Sequence, residues 1–180
     1  RYENRAYTER LRRVAALQDD ALALLEYARD NERAHFVAML VTLCEYWVTT
    51  GTLLPILRYA PEAISAAQQL HDVDAELWLR ANQLRAMRLQ TSADEAQRIA
   101  DLIPDLVARA TDHGVAAHAA AQCGLQWSLA GEVERCIDWC QSIIRSRGLT
   151  AATEGFWTVY WLVKWFRGAA VEPKEFDLAS

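Results

Sequence analysis

The side chains in this sequence that could take part in catalysis are its histidines and cysteines. His118 precedes Cys123 by five residues, and an imidazole beside a thiol is the arrangement that activates a cysteine nucleophile. Five residues along a helix point two side chains in different directions, because neighbours on one face are three or four residues apart. Cys136 and Cys140 have the four-residue spacing that would let them share a metal ion, but packing against Trp127 is the interpretation we favour. We therefore predict neither a catalytic cysteine nor a metal site.

The other patterns that would indicate an enzyme or a disulfide framework are absent from the sequence. The chain has no G-x-x-x-x-G-K-[ST] phosphate loop, no G-x-G-x-x-G, no H-E-x-x-H and no G-x-S-x-G. All the cysteines fall on apolar helical stripes, without the spacing of a zinc knuckle; they are Cys44, Cys123, Cys136 and Cys140. Buried, reduced thiols of this kind are typical of a cytoplasmic protein. We predict a non-enzymatic, cytoplasmic protein without a cofactor.

The segment Ala120–Ile144 predicts a pair of helices joined by a tight turn. Its first half has apolar side chains at the three- and four-residue intervals of one helix face, ending at Trp127. Its second half repeats that spacing from Val133 onward. Gly131 lies between the two halves, and glycine readily adopts the left-handed conformation that ends a helix.

The same arrangement recurs along the chain with a period of about 40 residues. Trp47 and Gly51 have the W-x-x-x-G spacing of Trp127 and Gly131, at positions 80 residues earlier. Midway between them, Ser92–Glu95 has the form of a capping box, in which a serine and a glutamate satisfy free amides at a helix start. Turns near residues 51, 91 and 131 predict an all-α domain built from repeated helix pairs.

One long helix or two shorter ones are predicted before the first of these pairs. Residues 3–17 have the apolar spacing of an amphipathic helix. A second helix is expected over Ala21–Arg29, with Asp19 or Asp20 as its N-terminal cap.

Proline is expected to interrupt two of the later helices. Because proline lacks the amide that an internal turn needs, we expect a short helix before Pro61 and a second one from Pro61 to Leu70. For the same reason Pro104 is expected to kink or split a helix over residues 93–112.

The C-terminal part is predicted to contain a final helix, Glu154–Arg167, and a polar tail over residues 171–180. No Gly/Ser-rich linker divides the chain, so we expect residues 1–170 to form a single domain. The aromatic stretch Phe156–Phe166 contains three Trp, one Tyr and two Phe, which cannot all face one neighbouring helix. A further repeat beyond this segment would cover them, and self-association through this helix is the alternative.

The charge and hydropathy of the chain limit its partners. The formal net charge is −5, whereas binding to nucleic-acid phosphates needs clustered Lys and Arg. No apolar run reaches the roughly 18 residues that a membrane-spanning helix needs. We expect a protein or peptide partner, or a small-molecule inducer, and neither direct nucleic-acid binding nor membrane insertion.

The hairpin around Gly131 resembles the tetratricopeptide repeat (TPR). Gly124, Trp127, Gly131 and Cys136 fall where that family places a glycine, a large aromatic residue, the turn residue and a small residue. No proline follows Ile144, so the repeat differs from the strict form of about 34 residues. The resemblance implies a TPR-like, right-handed superhelix of antiparallel helix hairpins.

A superhelix of this kind implies a binding groove. The first helices of successive pairs line its concave side, where aromatic and arginine side chains are typical anchors. With the register set by the turns, the groove is predicted to be lined by Glu45, Trp78, Asn82, Arg85, Arg88, His118, Gln122 and Trp161. The alternative is that Trp78 and Trp161 belong to the core and that the arginines are simply solvated.

A longer stretch resembles the start of the sensor domain of large bacterial signal-transduction NTPases. It includes Asp20–Leu25, Tyr27–Asn31, the Tyr46-Trp47 pair and the alanine-rich run from Ala60 to Ala66. The resemblance implies the sensor or interaction arm of a STAND-type NTPase, many of which are transcriptional regulators. Binding to this arm would bias a nucleotide switch elsewhere in the protein. The alternative is a stand-alone adaptor or scaffold that binds a peptide or a partner helix.

Overall fold

The structure of this protein is a computed structural model that describes residues 9, 12, 18–90 and 93–147. Residues 18–90 and 93–147 form seven α-helices and contain no strand, which confirms the all-α prediction. The helices are α1 (Gln18–Asn31), α2 (Arg33–Thr50), α3 (Leu54–Gln69), α4 (Val73–Gln90), α5 (Ala93–Arg109), α6 (His113–Leu129) and α7 (Val133–Arg147).

The helices pack so that every second one forms a row. Each helix packs against the next one along the chain, and α2, α4 and α6 also pack against one another in that order. We call these three helices the α2–α4–α6 row. Helices α3 and α5 each pack against two members of the row, whereas α1 packs against α2 and α7 against α6.

Three turns between helices have the same backbone hydrogen bonding. Gly51, His71 and Gly131 all adopt positive φ angles, of 75°, 55° and 85°. In each turn the next amide donates to the carbonyl five residues earlier, as in Thr52 to Trp47 (2.8 Å). This is the Schellman arrangement, which satisfies carbonyl groups left free at a helix end. The left-handed turns predicted at the two glycines are confirmed, and His71 forms a third without a glycine.

Replacing His71 by glycine is expected to raise the free energy of unfolding by about 0.5–1 kcal/mol. The left-handed conformation costs a residue with a Cβ about 1–2 kcal/mol, and part of this gain is lost to the greater entropy of glycine in the unfolded chain. Conversely, Gly131→Ala should destabilise by about 1 kcal/mol through backbone strain alone, since an added Cβ meets no described atom within 4 Å. Urea unfolding of both variants tests the pair, and a destabilised His71→Gly protein would contradict it.

The buried apolar side chains form two clusters that meet at α4. One cluster contains Trp47 and side chains of α1 to α4, and the other contains Trp127 and side chains of α4 to α7. Leu77 and Leu79 of α4 are fully buried in different clusters. Burial of one leucine side chain stabilises a protein by about 1.5–3 kcal/mol, so α4 stabilises both halves of the fold.

The prediction that a new helix begins at Pro61 is wrong, because α3 runs without interruption from Leu54 to Gln69. A proline inside a helix costs about 3 kcal/mol. Ile56 and Ile64, on either side of Pro61, are buried, and each contributes about 1.5–3 kcal/mol. Pro61 itself is exposed, so its ring does not disturb this packing.

Two other helix boundaries differ from those predicted. Helix α5 continues past Pro104 and ends at Arg109, so the helix is not split there. Helix α1 already begins at Gln18, so Asp19 and Asp20 lie in its first turn and are not its N-terminal cap. Carboxylates in a first turn still interact favourably with the positive end of the helix dipole.

Several predictions fall outside the described residues. They are the helix over residues 3–17, the serine of the capping box (Ser92), the turn residue Thr91, the final helix Glu154–Arg167 with its aromatic stretch Phe156–Phe166, the groove residue Trp161 and the tail over residues 171–180. Among the described helices, none combines the length and the apolar character needed to cross a bilayer.

Candidate functional site

Trp78 connects all three helices of the α2–α4–α6 row. Its indole Nε1 donates a hydrogen bond to the carbonyl oxygen of Val41 on α2, at 3.1 Å. Its ring lies against the imidazole of His118 on α6, with the ring centroids 4.6 Å apart. The side chain is half-buried, so one residue fixes the spacing of three helices and still contributes to their surface.

A largely apolar pocket of about 530 Å³ opens beside Trp78. It is lined by Ala34, Val37, Ala38, Val41, Leu70, Asp72, Asp74, Ala75, Trp78 and Val115. Its two carboxylates bind backbone amides: Asp72 accepts from Ala75 N at 2.9 Å, and Asp74 accepts from Thr111 N at 2.9 Å. Pockets of about 300–1,000 Å³ with a mostly apolar lining are typical of small-ligand sites.

Two arginines lie further along α4 from Trp78. The Arg88 guanidinium donates to the backbone oxygen of Gln122 at 3.2 Å and also to its side-chain oxygen. Burial and the neighbouring Arg85 lower the pKa of Arg88 to about 10, while partial burial lowers that of Arg85. Among the described residues, neither arginine forms an ion pair with a carboxylate.

The positive charges of both arginines act on His118, which carries no charge at neutral pH. Burial, reinforced by the positive charges of Arg85 and Arg88, lowers its pKa to about 4. Its Nε2 is buried and has no hydrogen-bond partner among the described residues. A buried polar atom without a partner costs free energy unless a ligand or water satisfies it.

The structure brings together five of the eight residues predicted to line a groove. Trp78, Arg85, Arg88, His118 and Gln122 form one group on α4 and α6, which we call the α4–α6 cluster.

The other three predicted groove residues do not join this cluster. Glu45 is exposed on α2, one helix away, and Trp161 is not described. Asn82 is only 1% exposed, and its amide donates to the carbonyl oxygen of Trp78 at 2.9 Å. Asn82 therefore supports α4 from inside and does not reach the surface as predicted.

The apolar half of this site was not predicted from the sequence. Ala38 on α2 lines the pocket, and it precedes Trp78 and His118 at intervals of 40 residues. The three residues occupy the same position in the three helices of the α2–α4–α6 row, which begin at Arg33, Val73 and His113. Extending the 40-residue period from Trp78 in both directions would have identified this line of side chains.

The cysteines are buried, with pKa values that keep most of them protonated. Burial raises the pKa of Cys44 to about 12 and also raises that of Cys123, whose Sγ donates to the carbonyl oxygen of Ala100 at 3.2 Å. A hydrogen bond between Cys136 and Cys140 raises the pKa of Cys140. Since the thiolate is the reactive form, Cys44, Cys123 and Cys140 are weak nucleophiles at neutral pH.

Within residues 18–90 and 93–147, no three His, Cys, Asp or Glu side chains are grouped so that they could hold a metal ion. No family model matches this chain, and no curated protein matches it significantly. The α4–α6 cluster and the adjoining pocket are therefore the observations on which function is argued.

Proposed function

We propose that this chain is a non-catalytic binding domain whose ligand or partner lies on the α2–α4–α6 row. The observation that carries the proposal is the position of Trp78, which lines the apolar pocket and also contacts His118 of the cluster that contains the two arginines. An apolar surface with a few polar anchors is typical of recognition sites. Its carboxylates at Asp72 and Asp74 already accept backbone hydrogen bonds, which supports binding over acid–base chemistry there.

The fold that we propose is a TPR-like, right-handed superhelix of helix hairpins with a repeat of about 40 residues. The pairs would be α2–α3, α4–α5 and α6–α7, whose first helices begin at Arg33, Val73 and His113. Asp72 and Asp112 directly precede two of these helices. The side chain of each accepts a hydrogen bond from the amide three residues later, at 2.9 and 3.0 Å. Equal spacing and an unbroken row of first helices are features of stacked repeats.

In the cell, we propose that this domain is the sensor or interaction arm of a cytoplasmic bacterial signal-transduction NTPase or transcriptional regulator. Support comes from the resemblance over Leu17–Ala67 and from the pocket, which has the volume of a small-ligand site. Occupancy of the row would act on a nucleotide switch only if it favours one conformation of the larger protein over another. The gene sequence on both sides tests this: a G-x-x-x-x-G-K-[ST] module in the same polypeptide supports it, and its absence contradicts it.

The second candidate is a stand-alone adaptor that binds a partner helix. Ala34 and Ala38 of α2 are exposed, small residues one turn apart at the pocket. Small side chains allow another helix to approach closely, as in helix-in-groove recognition. This candidate uses the same surface, so an experiment that locates the binding surface tests what both share.

Peptides selected from a displayed random library against the 180-residue chain should bind the α2–α4–α6 row. We expect Ala38→Arg to weaken the selected peptides at least tenfold, because the long, charged side chain would fill the apolar pocket. Ser65→Arg is the matched control: it adds the same charge to a small, exposed residue on α3. Fluorescence polarisation gives the affinities, and circular dichroism checks that both variants stay folded.

The two variants also define the result that would contradict the proposal. Peptides that lose affinity with Ser65→Arg but not with Ala38→Arg would assign binding to the face formed by α3. Failure to select any peptide, together with no binding of small ligands in the pocket, would mean that the row is not a recognition surface.

A further inference from the structure

The α4–α6 cluster holds two positive charges that lie close together without a described counter-ion. Arg85 and Arg88 are three residues apart on α4 and so lie next to each other on one face of the helix, where their guanidinium groups repel each other. The described hydrogen-bond partner of Arg88 is the neutral Gln122. Partly buried cations that repel each other favour a bound anion, which relieves the repulsion and accepts several charge-assisted hydrogen bonds.

His118 adds a third polar group on the facing part of α6, where its ring contacts Trp78 and where Gln122, four residues later, accepts a hydrogen bond from Arg88. His118 is neutral at physiological pH, and both arginines act on it electrostatically, so it lies within range of their charges. Its buried Nε2 has no partner among the described residues. A neutral imidazole can donate one N–H to a carboxylate, so a bound carboxylate could give this buried nitrogen the hydrogen-bond partner that it lacks among the described residues.

The other end of the site is apolar. Trp78 belongs to both parts: its ring contacts His118 and also lines the pocket with Val41, Ala38 and Val115. Seven residues separate Trp78 from Arg85, which is roughly 10 Å along a helix at about 1.5 Å per residue. The pocket carboxylates Asp72 and Asp74 lie at its far end, so an anion would be attracted to the arginines and repelled from the pocket.

We propose that this site binds a small amphiphilic organic anion, with its carboxylate on Arg85, Arg88 and His118 and its apolar body against Trp78 in the pocket. This inference rests on the proposed function of the α2–α4–α6 row and names the ligand class of that row. A planar carboxylate fits the two-pronged donor geometry of arginine. The rise of roughly 10 Å along α4 between Trp78 and Arg85 is close to the length of an apolar chain of about seven or eight carbons.

The test uses octanoate as the probe, at concentrations below micelle formation, and the 180-residue chain. Two matched compounds separate the contributions of the charge and of the apolar chain to affinity. Octanamide has the same apolar chain without the charge, and inorganic phosphate has charge without the chain. We expect octanoate to bind saturably in isothermal titration calorimetry, at least tenfold more tightly than either compound. Nuclear magnetic resonance should show shifts of the Trp78 indole and an increased pKa of His118, because a carboxylate stabilises the imidazolium.

Charge-removing variants assign the anion to the two arginines. Arg85→Gln/Arg88→Gln should weaken octanoate at least tenfold and leave octanamide unchanged. Arg98→Gln/Arg145→Gln is the control, because it removes the same two charges from exposed positions on α5 and α7 and should leave octanoate binding unaltered. Circular dichroism and thermal unfolding establish that both double variants are folded.

Three results would overturn the inference. The first is an affinity for octanoate no higher than that for octanamide. The second is an equal loss of octanoate affinity in both double variants, and the third is octanoate binding that shifts the resonances of neither Trp78 nor His118. If octanoate fails while selected peptides still depend on Ala38, the ligand class is wrong and the proposed binding surface stands. If octanoate fails and the selected peptides do not depend on Ala38, both the ligand class and the proposed function are wrong.

Discussion

Trp127→Ala is expected to lower the free energy of unfolding by about 3–5 kcal/mol, the range for emptying a large core site. The side chain is 2% exposed. Its ring meets that of Trp139 edge-on, with centroids 5.9 Å apart, and the guanidinium of Arg135 lies 4.0 Å from its centroid. Its Nε1 also donates to Asp101 at 3.3 Å. The substitution removes contacts among α5, α6 and α7 together, so the loss should be near the upper part of the range.

Leu129→Ala is the control for this prediction. Leu129 lies at the end of the same helix but is 68% exposed, so its truncation should change stability by less than about 0.5 kcal/mol. Urea unfolding followed by circular dichroism at 222 nm compares the two variants without depending on tryptophan emission. A loss below about 1 kcal/mol for Trp127→Ala would mean that the packing between α6 and α7 differs from this structure.

Trp127 and Trp47 show how the core could be predicted from spacing alone. They lie in the last turns of α6 and α2 and belong to different buried clusters. The backbone oxygen of each tryptophan accepts a hydrogen bond from the amide that follows the turn glycine, Gly131 or Gly51. The tryptophan fills the space between two helices, and the glycine four residues later allows the chain to reverse. Because both functions depend on local spacing, the sequence predicts them correctly.

The exposure of individual side chains on the α2–α4–α6 row was harder to predict. In α6, nine residues between Ala116 and Trp127 are buried, so apolar and small residues occur on nearly every side of that helix. A helix that is buried on several sides has no single apolar stripe to fix its rotation. Asn82 of α4, which the register of the turns predicts to line the groove, is buried. The outer helix α5 has an apolar face and a polar face, and its buried residues Ile99 and Ile103 follow the expected spacing.

The candidate site needed tertiary information that spacing does not supply. Arg88 reaches Gln122 across 34 residues of sequence, and Trp78 reaches Val41 across 37. Each of these side chains has several rotamers, and which one is chosen depends on the neighbouring helix. The residue types indicated a binding surface, but only the packing of α4 on α6 brings the two arginines and His118 together without a described carboxylate.

Lowering the pH from 7 to 4 should destabilise the protein through His118, by up to about 3 kcal/mol. The pKa of His118 is lowered from 6.5 to about 4 in the folded state, and one pKa unit corresponds to about 1.36 kcal/mol. Between these values the unfolded chain binds a proton that the folded one does not, so the free energy of unfolding falls as pH falls. Above pH 6.5 both states are neutral, and the effect disappears.

The measurement is urea unfolding of the wild-type chain and of His118→Gln at intervals between pH 7.5 and 4. Carboxylates that titrate in the same range contribute to both proteins, so the difference between the two isolates the imidazole. We expect His118→Gln to gain stability relative to the wild type steadily as pH falls below 6.5. His113→Gln, at an exposed position at the start of the same helix, is the control for removing an imidazole as such. If the difference for His118→Gln stays constant, the imidazole is protonated as easily in the folded state as in the unfolded one. It would then not lie in the cationic, buried setting from which the anion site is inferred.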